Sequence, residues 1–204
     1  AEAPQTAEPR EYALERHTLH MGTLINAKLF GATPEAVKHY AIVFEDKVTD
    51  YDDLMSVHKD TPLNEVNRRA GEPVEVPCEI ADMTKQALAI ADETNGAFEP
   101  MIGPVVNLWK IGFGGEHVPS DEAIAEAVSK VDRSKVRVWR EGGRCMMQIA
   151  KGQSIDMGAI AKGFIGQRLS DILKHEGMTR GVLDLGGNIV AVGEKSDGLS
   201  LIHI

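Results

Sequence analysis

The stretch SIDMGAIAKGF, Ser154 to Phe164, brings an acid, a glycine and a lysine to the start of a helix. From Ala159 onward Ile160, Phe164, Ile165, Leu169, Ile172 and Leu173 recur at helical steps and make one apolar stripe. Lys162 falls almost opposite Ile160, in the first turn. Helix N-termini carry partial positive charge, so a lysine there is disfavoured by roughly a few tenths of a kcal/mol. First-turn N–H groups also lack intrahelical partners and form an anion site, to which a lysine adds a full charge. A phosphate is the natural occupant. Asp156 either caps the helix or binds a polar group, and Gly158 lets the backbone approach closely. The alternative is a plain N-cap followed by a solvated lysine.

Two other stretches carry chemical potential. DLGGN, Asp184 to Asn188, sets an acid in an otherwise apolar strand before a small turn on which a ligand can lie; a turn with no function reads the same way. The Gly/Pro-rich segment from Ala97 to Gly114 holds Phe98 and Trp109, which suit a flat aromatic ligand or a hydrophobic plug. The seven histidines form no HxxxH or HExxH pattern, and neither a GxSxG elbow nor a Walker motif is present. His58, in a polar loop, is the one histidine singled out.

The elements that position these residues follow from patterning. Residues 1–17, beginning AEAPQTAEPREY, read as a flexible leader of the kind left by signal-peptide removal. ERHTLHMGTLINAKLFG reads as a strand, and Thr33-Pro34-Glu35 starts a long helix whose apolar face runs to about Ser56. HKDTPLNEVNRRAGEP reads as irregular. A second helix spans about Cys78 to Thr94, ended by Asn95-Gly96, and the segment that follows reads as loop. Ser120 caps a short helix; hairpins turn at Glu141-Gly142-Gly143 and at Gly186-Gly187-Asn188. Interspersed helices and hairpins imply an α+β fold, with a mixed or largely antiparallel sheet flanked by helices, over residues 18–204.

The net charge of −9 argues against a nucleic-acid binder and requires any anionic ligand to be held locally. Cys78 and Cys145 belong to no metal-type cluster and read as plain thiols, with pairing open to an exported protein.

Five stretches occur in the same order in a family that the chain resembles, the FAD:protein FMN transferases (the ApbE family). The matching residues are Met21-Gly22-Thr23, Leu54-Met55-Ser56 followed by Asn67, and Thr94 to Glu99 leading into Pro104 and Leu108-Trp109; SIDMGAIAKGF and LDLGGN complete the set. The resemblance covers roughly residues 18 to 193. It implies an enzyme that uses magnesium to split FAD and attaches FMN through a phosphoester to a threonine of a target protein. Met21 would touch the flavin nucleotide, and Ala97, Phe98 and Glu99 would line its pocket. Asp156 would hold the adenosine part, Lys162 would face the phosphates, and Gly186, Gly187 and Asn188 would form a nearby wall. The carbonyl of Ala159 would be a magnesium ligand.

Three departures stand out. Glu99 replaces the usual Asp, His58 replaces an aromatic ring that packs on FAD, and Thr61-Pro62 replaces a serine–glutamate pair. Family members also continue beyond Gly193 to a later Asp and Thr that complete the magnesium site, whereas here GLSLIHI reads as one more strand or a foreign tail. The expectation is an FAD platform without the whole metal site; an FAD-binding module without transferase activity is the alternative. With the leader, this reading leads to the expectation of a periplasmic or exported protein, with attachment to the inner membrane through a lipid anchor outside this chain left open.

Overall fold

The computed structural model describes residues 11–55, 59–110 and 118–194. In chain order the elements are β1 (Tyr12–His20), β2 (Thr23–Gly31), α1 (Pro34–Met55), α2 (Pro62–Arg68), β3 (Val74–Val76), α3 (Cys78–Glu93), α4 (Gly103–Trp109), α5 (Asp121–Ser129), β4 (Arg137–Glu141), β5 (Arg144–Gln148), α6 (Ala161–His175), β6 (Arg180–Leu185) and β7 (Asn188–Val192). The strands form two sheets, ordered β1-β2-β6-β7 and β3-β5-β4. Every pairing among them is antiparallel, as the α+β expectation requires.

The chain divides into two compact units, Ala1–Asp52 with Lys162–Ile204, and Asp53–Ala161. The first holds the four-stranded sheet. Its helix α1 starts as its residues dictate: Thr33 Oγ1 accepts the Ala36 N–H at 3.1 Å, and proline takes the first helical position. Val37, Tyr40, Phe44, Val48 and Tyr51 are buried along one face, and Phe44 is wholly inaccessible. A side chain of that kind contributes about 1.5–3 kcal/mol by burial. From α6, Phe164, Ile165, Leu169 and Leu173 are buried as the stripe required.

The second unit holds the three-stranded sheet with α2 to α5. Helix α3 ends at Asn95 and Gly96, both in the left-handed region (φ 51° and 80°). In α5, Ser120 Oγ accepts the Ala123 N–H at 3.3 Å.

Several expectations are corrected. Tyr12–His17, assigned to the leader, are already strand. The single strand expected from Glu15 to Gly31 is a hairpin, with His20 opposite Thr23 across a two-residue turn. The irregular stretch after residue 58 contains α2, because Thr61 Oγ1 caps the Asn64 N–H and Pro62 occupies the first turn. The loop after Ala97 contains a short 3-10 turn, Pro100–Ile102, and then α4. Cys78 and Cys145 are joined in a disulfide with Cα atoms 5.3 Å apart, fastening the start of α3 to β5.

Candidate functional site

In the first unit, Ile25 pairs with Leu185, so the β1–β2 turn and the β6–β7 turn lie at the same end of the sheet. The second turn is Gly186-Gly187, with φ of 62° and 94°. A Cβ on Gly186 would stand 2.5 Å from Thr23 Oγ1, so only glycine fits this approach. Asp184 explains its place in the strand: Oδ1 accepts the Gly187 N–H at 2.7 Å, and Oδ2 accepts from Asn26 Nδ2 at 3.3 Å. It caps the turn. Asn188 Nδ2 lies 3.3 Å from where a Cβ on Gly163 would be, which sets the turn against the first turn of α6. Lys162, the preceding residue, is half-buried and has no hydrogen-bond or ion-pair partner among the described residues.

The β1–β2 turn is built differently. Met21 has φ of 52° and Gly22 of 70°. The left-handed region costs a non-glycine residue roughly 1–2 kcal/mol. The Met21 N–H donates to Asp52 Oδ1 at 2.8 Å, and His20 Nδ1 lies 3.2 Å from Asp52 Oδ2. Asp52 is buried near the C-terminus of α1, where a carboxylate opposes the helix dipole.

In the second unit, Asn67 holds the SID segment in a two-way amide clamp. Its Nδ2 donates to the Ile155 carbonyl at 3.0 Å, and its Oδ1 accepts the Ile155 N–H at 2.8 Å. One residue on, the Asp156 N–H donates to the Pro100 carbonyl at 2.8 Å, tying this segment to the one that carries Ala97, Phe98 and Glu99. Gly103 approaches so closely that a Cβ would lie 2.4 Å from the Ser154 carbonyl oxygen. The Asp156 side chain accepts the Gly158 N–H at 2.7 Å and so shapes the bend before α6.

Glu99 has both carboxylate oxygens engaged. Oε1 accepts the Met101 N–H and Oε2 accepts from Arg133 Nη1, each at 3.0 Å. Arg133 also donates to Asp92 through Nε at 2.8 Å. Hydrogen bonding to Asp92 and then Glu99 raises the guanidinium above its ordinary value. The glutamate that replaces the family's Asp therefore fixes its own segment.

The expected site residues thus fall into two clusters. Met21, Lys162, Gly186, Gly187 and Asn188 gather in the first unit; Ala97, Phe98, Glu99, Asp156 and Ala159 belong to the second, with Ala97 and Ala159 exposed and Phe98 half-buried. His58 lies outside the described residues. A separate cleft of about 780 Å³ in the second unit is lined by Asn67, Pro104, Leu108, Ala127 and Ser154, but by none of the expected residues. Asp52 and Arg133 were not singled out from the sequence. The available signal for Asp52 was an acid four residues after Val48, on the apolar face of α1.

For magnesium, the described residues offer the Ala159 carbonyl, which accepts no backbone hydrogen bond, and no group of three or more His, Cys, Asp or Glu. Magnesium takes near-octahedral oxygen coordination, commonly with one or two carboxylates. These residues alone do not make that site.

Solved structures place this framework among the flavin transferases. The flavinyl transferase ApbE of Pseudomonas stutzeri, apo form, shares the fold at a TM-score of 0.81 and 23% identity, over 92% of this chain and 61% of that one. The flavin transferase ApbE of Vibrio cholerae matches at 0.78 and 26%, over 93% and 62%. The FAD:protein FMN transferase of Treponema pallidum (strain Nichols) is 34% identical over 196 residues, 93% of this chain and 54% of that protein. The chain belongs to the ApbE family, which it matches over residues 21–203. It spans about half the length of the curated relatives it matches.

Proposed function

We propose that the protein acts as a magnesium-dependent FAD:protein FMN transferase. The observation that carries this reading is the seat of Lys162: half-buried in the first turn of α6, unpartnered among the described residues, with Asn188 of the glycine turn against its neighbour Gly163. The Ala161 N–H at the head of α6 already donates to the Met157 carbonyl at 2.8 Å, so the unpartnered lysine itself is what suits a phosphate ester, and a dinucleotide with two phosphates suits it better than a lone anion would. Family membership supports FAD as that dinucleotide.

In the reaction, the hydroxyl oxygen of a target threonine attacks the phosphorus on the FMN side of the pyrophosphate. A P–O bond forms, the P–O bond to the AMP side breaks, AMP leaves with the electron pair, and the hydroxyl proton passes to solvent or a base. Lys162 and the first-turn N–H groups would stabilise negative charge on the phosphates as it shifts. Asp156, fixed through its backbone N–H and the Asn67 clamp, would hold the adenosine end. Met21, Ala97 and Phe98 would contact the nucleotide. Bound magnesium would supply Lewis acidity to the pyrophosphate.

An exported, periplasmic location belongs to the same proposal. The Cys78–Cys145 disulfide supports it, since such bonds persist in oxidising compartments. Inner-membrane attachment would come from a lipid anchor outside these residues; among the described residues no helix is long and apolar enough to cross a membrane.

The second reading is an FAD-binding module without transfer, and what favours it is that no group of three or more His, Cys, Asp or Glu among the described residues could hold a metal ion. Incubation with FAD, magnesium and a threonine-bearing flavin-acceptor protein separates the two. Transfer predicts covalent flavin fluorescence on the acceptor, a mass gain of FMN less water, and stoichiometric AMP. Bound FAD without any of these selects the module.

A further inference from the structure

We infer that Asp52 is a positioning residue for nucleotide binding, acting through the backbone of Met21; the inference rests on the FAD reading above. Two locally unfavourable choices meet at this point. Met21 occupies the left-handed region at φ 52°, where glycine or asparagine is the ordinary choice. Asp52 is a buried acid in the last turns of α1, its side chain 7% exposed. Each accounts for the other. The carboxylate accepts the Met21 N–H at 2.8 Å through one oxygen, while His20 Nδ1 stands 3.2 Å from the second. That second bond requires the His20 proton on Nδ1.

A glycine would make the same turn without help, so geometry alone does not demand this arrangement. What glycine would not provide is a side chain projecting from the turn, at the sheet end that also carries Gly186, Gly187 and Asn188. Asp52 allows a thioether to be presented from a backbone conformation that disfavours it. Local strain kept at a ligand-facing turn and compensated by a buried partner is the pattern of preorganisation. The parallel within the unit is Asp184, which caps the Gly187 N–H at 2.7 Å in the other turn. Both turns at this end of the sheet are therefore fixed by carboxylates.

The test is a double-variant cycle read by FAD titration, with amide hydrogen exchange at Met21 as a readout independent of FAD. Asp52→Ala should weaken FAD binding about tenfold or more and abolish protection of the Met21 amide. Asp52→Asn keeps an oxygen for that N–H, and its amide hydrogen meets His20 Nδ1 once the imidazole carries its proton on Nε2 instead, so it should stay within about threefold of wild type and keep the protection. Met21→Ala removes the presented side chain; adding Asp52→Ala to it should weaken binding no further. FAD binding unchanged in Asp52→Ala, or fully additive losses in the cycle, would overturn the role. If Asp52→Ala does not fold, Asp52→Asn decides: lost amide protection or lost affinity overturns the role, and retention of both supports it. A folded wild type that binds no FAD would remove the functional reading, and this role with it, whereas binding that ignores residue 52 removes the role alone.

Discussion

Replacing Asn67 by alanine removes both arms of the clamp on Ile155, bonds of 3.0 Å and 2.8 Å. Ile155 is 3% exposed, so its N–H and C=O lose their partners with little access to water. Each lost bond is worth about 1 kcal/mol net, and a buried group left unpaired costs about 1–3 kcal/mol. The expected loss is about 2–4 kcal/mol, equivalent to a melting temperature lower by roughly 4–16 °C in a chain of this size. Asn67→Asp gives a sharper signature. Its carboxylate still accepts the Ile155 N–H but repels the carbonyl at neutral pH, and acidification restores a donor. The variant should therefore recover part of its deficit as pH falls, which alanine cannot do. FAD affinity should drop in both, because Asp156 follows directly on the clamped residue. Circular dichroism melts at several pH values, with FAD titration alongside, make the test. A loss below about 0.5 kcal/mol in Asn67→Ala would refute the clamp as the determinant of the SID segment.

Other expectations follow from the same geometry. Lys162→Ala should weaken FAD binding by about 10- to 150-fold, the equivalent of a charge-assisted bond worth about 1.5–3 kcal/mol, and should leave the melting temperature nearly unchanged because the lysine has no partner among the described residues to lose. Reducing the Cys78–Cys145 bond, which links positions 67 residues apart, should destabilise the protein by about 4 kcal/mol on the chain-entropy model; alkylation of native, unreduced protein should label neither cysteine, and labelling of both would contradict the pairing. Asp132 is held below the ordinary carboxylate value, first by the Ser134 hydroxyl and then by Lys135. A depressed folded value gives stabilisation that is full above the unfolded value and lost as pH falls through the folded one. Asp132→Asn should thus lower the melting temperature at neutral pH and converge with wild type in acid; a constant gap across the titration would contradict this.

Much of the scaffold was legible because its signals are local. Thr33-Pro34-Glu35, Asn95-Gly96 and Ser120 set helix ends through neighbouring backbone groups, and both glycine turns between alternating strands were read correctly. The β1–β2 hairpin was not, because Met21 bears no mark of a left-handed residue; its conformation depends on Asp52, 31 residues away. Helix α2 escapes a reading in which Thr61-Pro62 marks only the loss of a carboxylate, since the pair is a cap and a first-turn proline. In α4, the run Pro104-Val105-Val106 lies among glycines and prolines that suggest a loop, and its close approach at Gly103 to Ser154 is not local. Pairing of the cysteines required the register of β5 beside the start of α3.

The site divides the same way. Lys162 and the glycine turn were visible as chemistry out of place, whereas Asn67 and Glu99 gain their roles from partners 88 and 34 residues distant. Glu99 is the instructive case. The sequence marks it only as a pocket-lining acid, and the structure adds that both its oxygens are engaged, by the Met101 N–H and by Arg133.

The central claim is that these residues hold FAD, and its most direct test is a titration of FAD into the chain followed by quenching of flavin fluorescence, with Lys162→Ala in parallel. Saturable binding that weakens at least tenfold in the variant is the predicted result. A cooperatively folded chain that leaves flavin fluorescence unchanged, or that binds FAD equally well without the lysine, would contradict it.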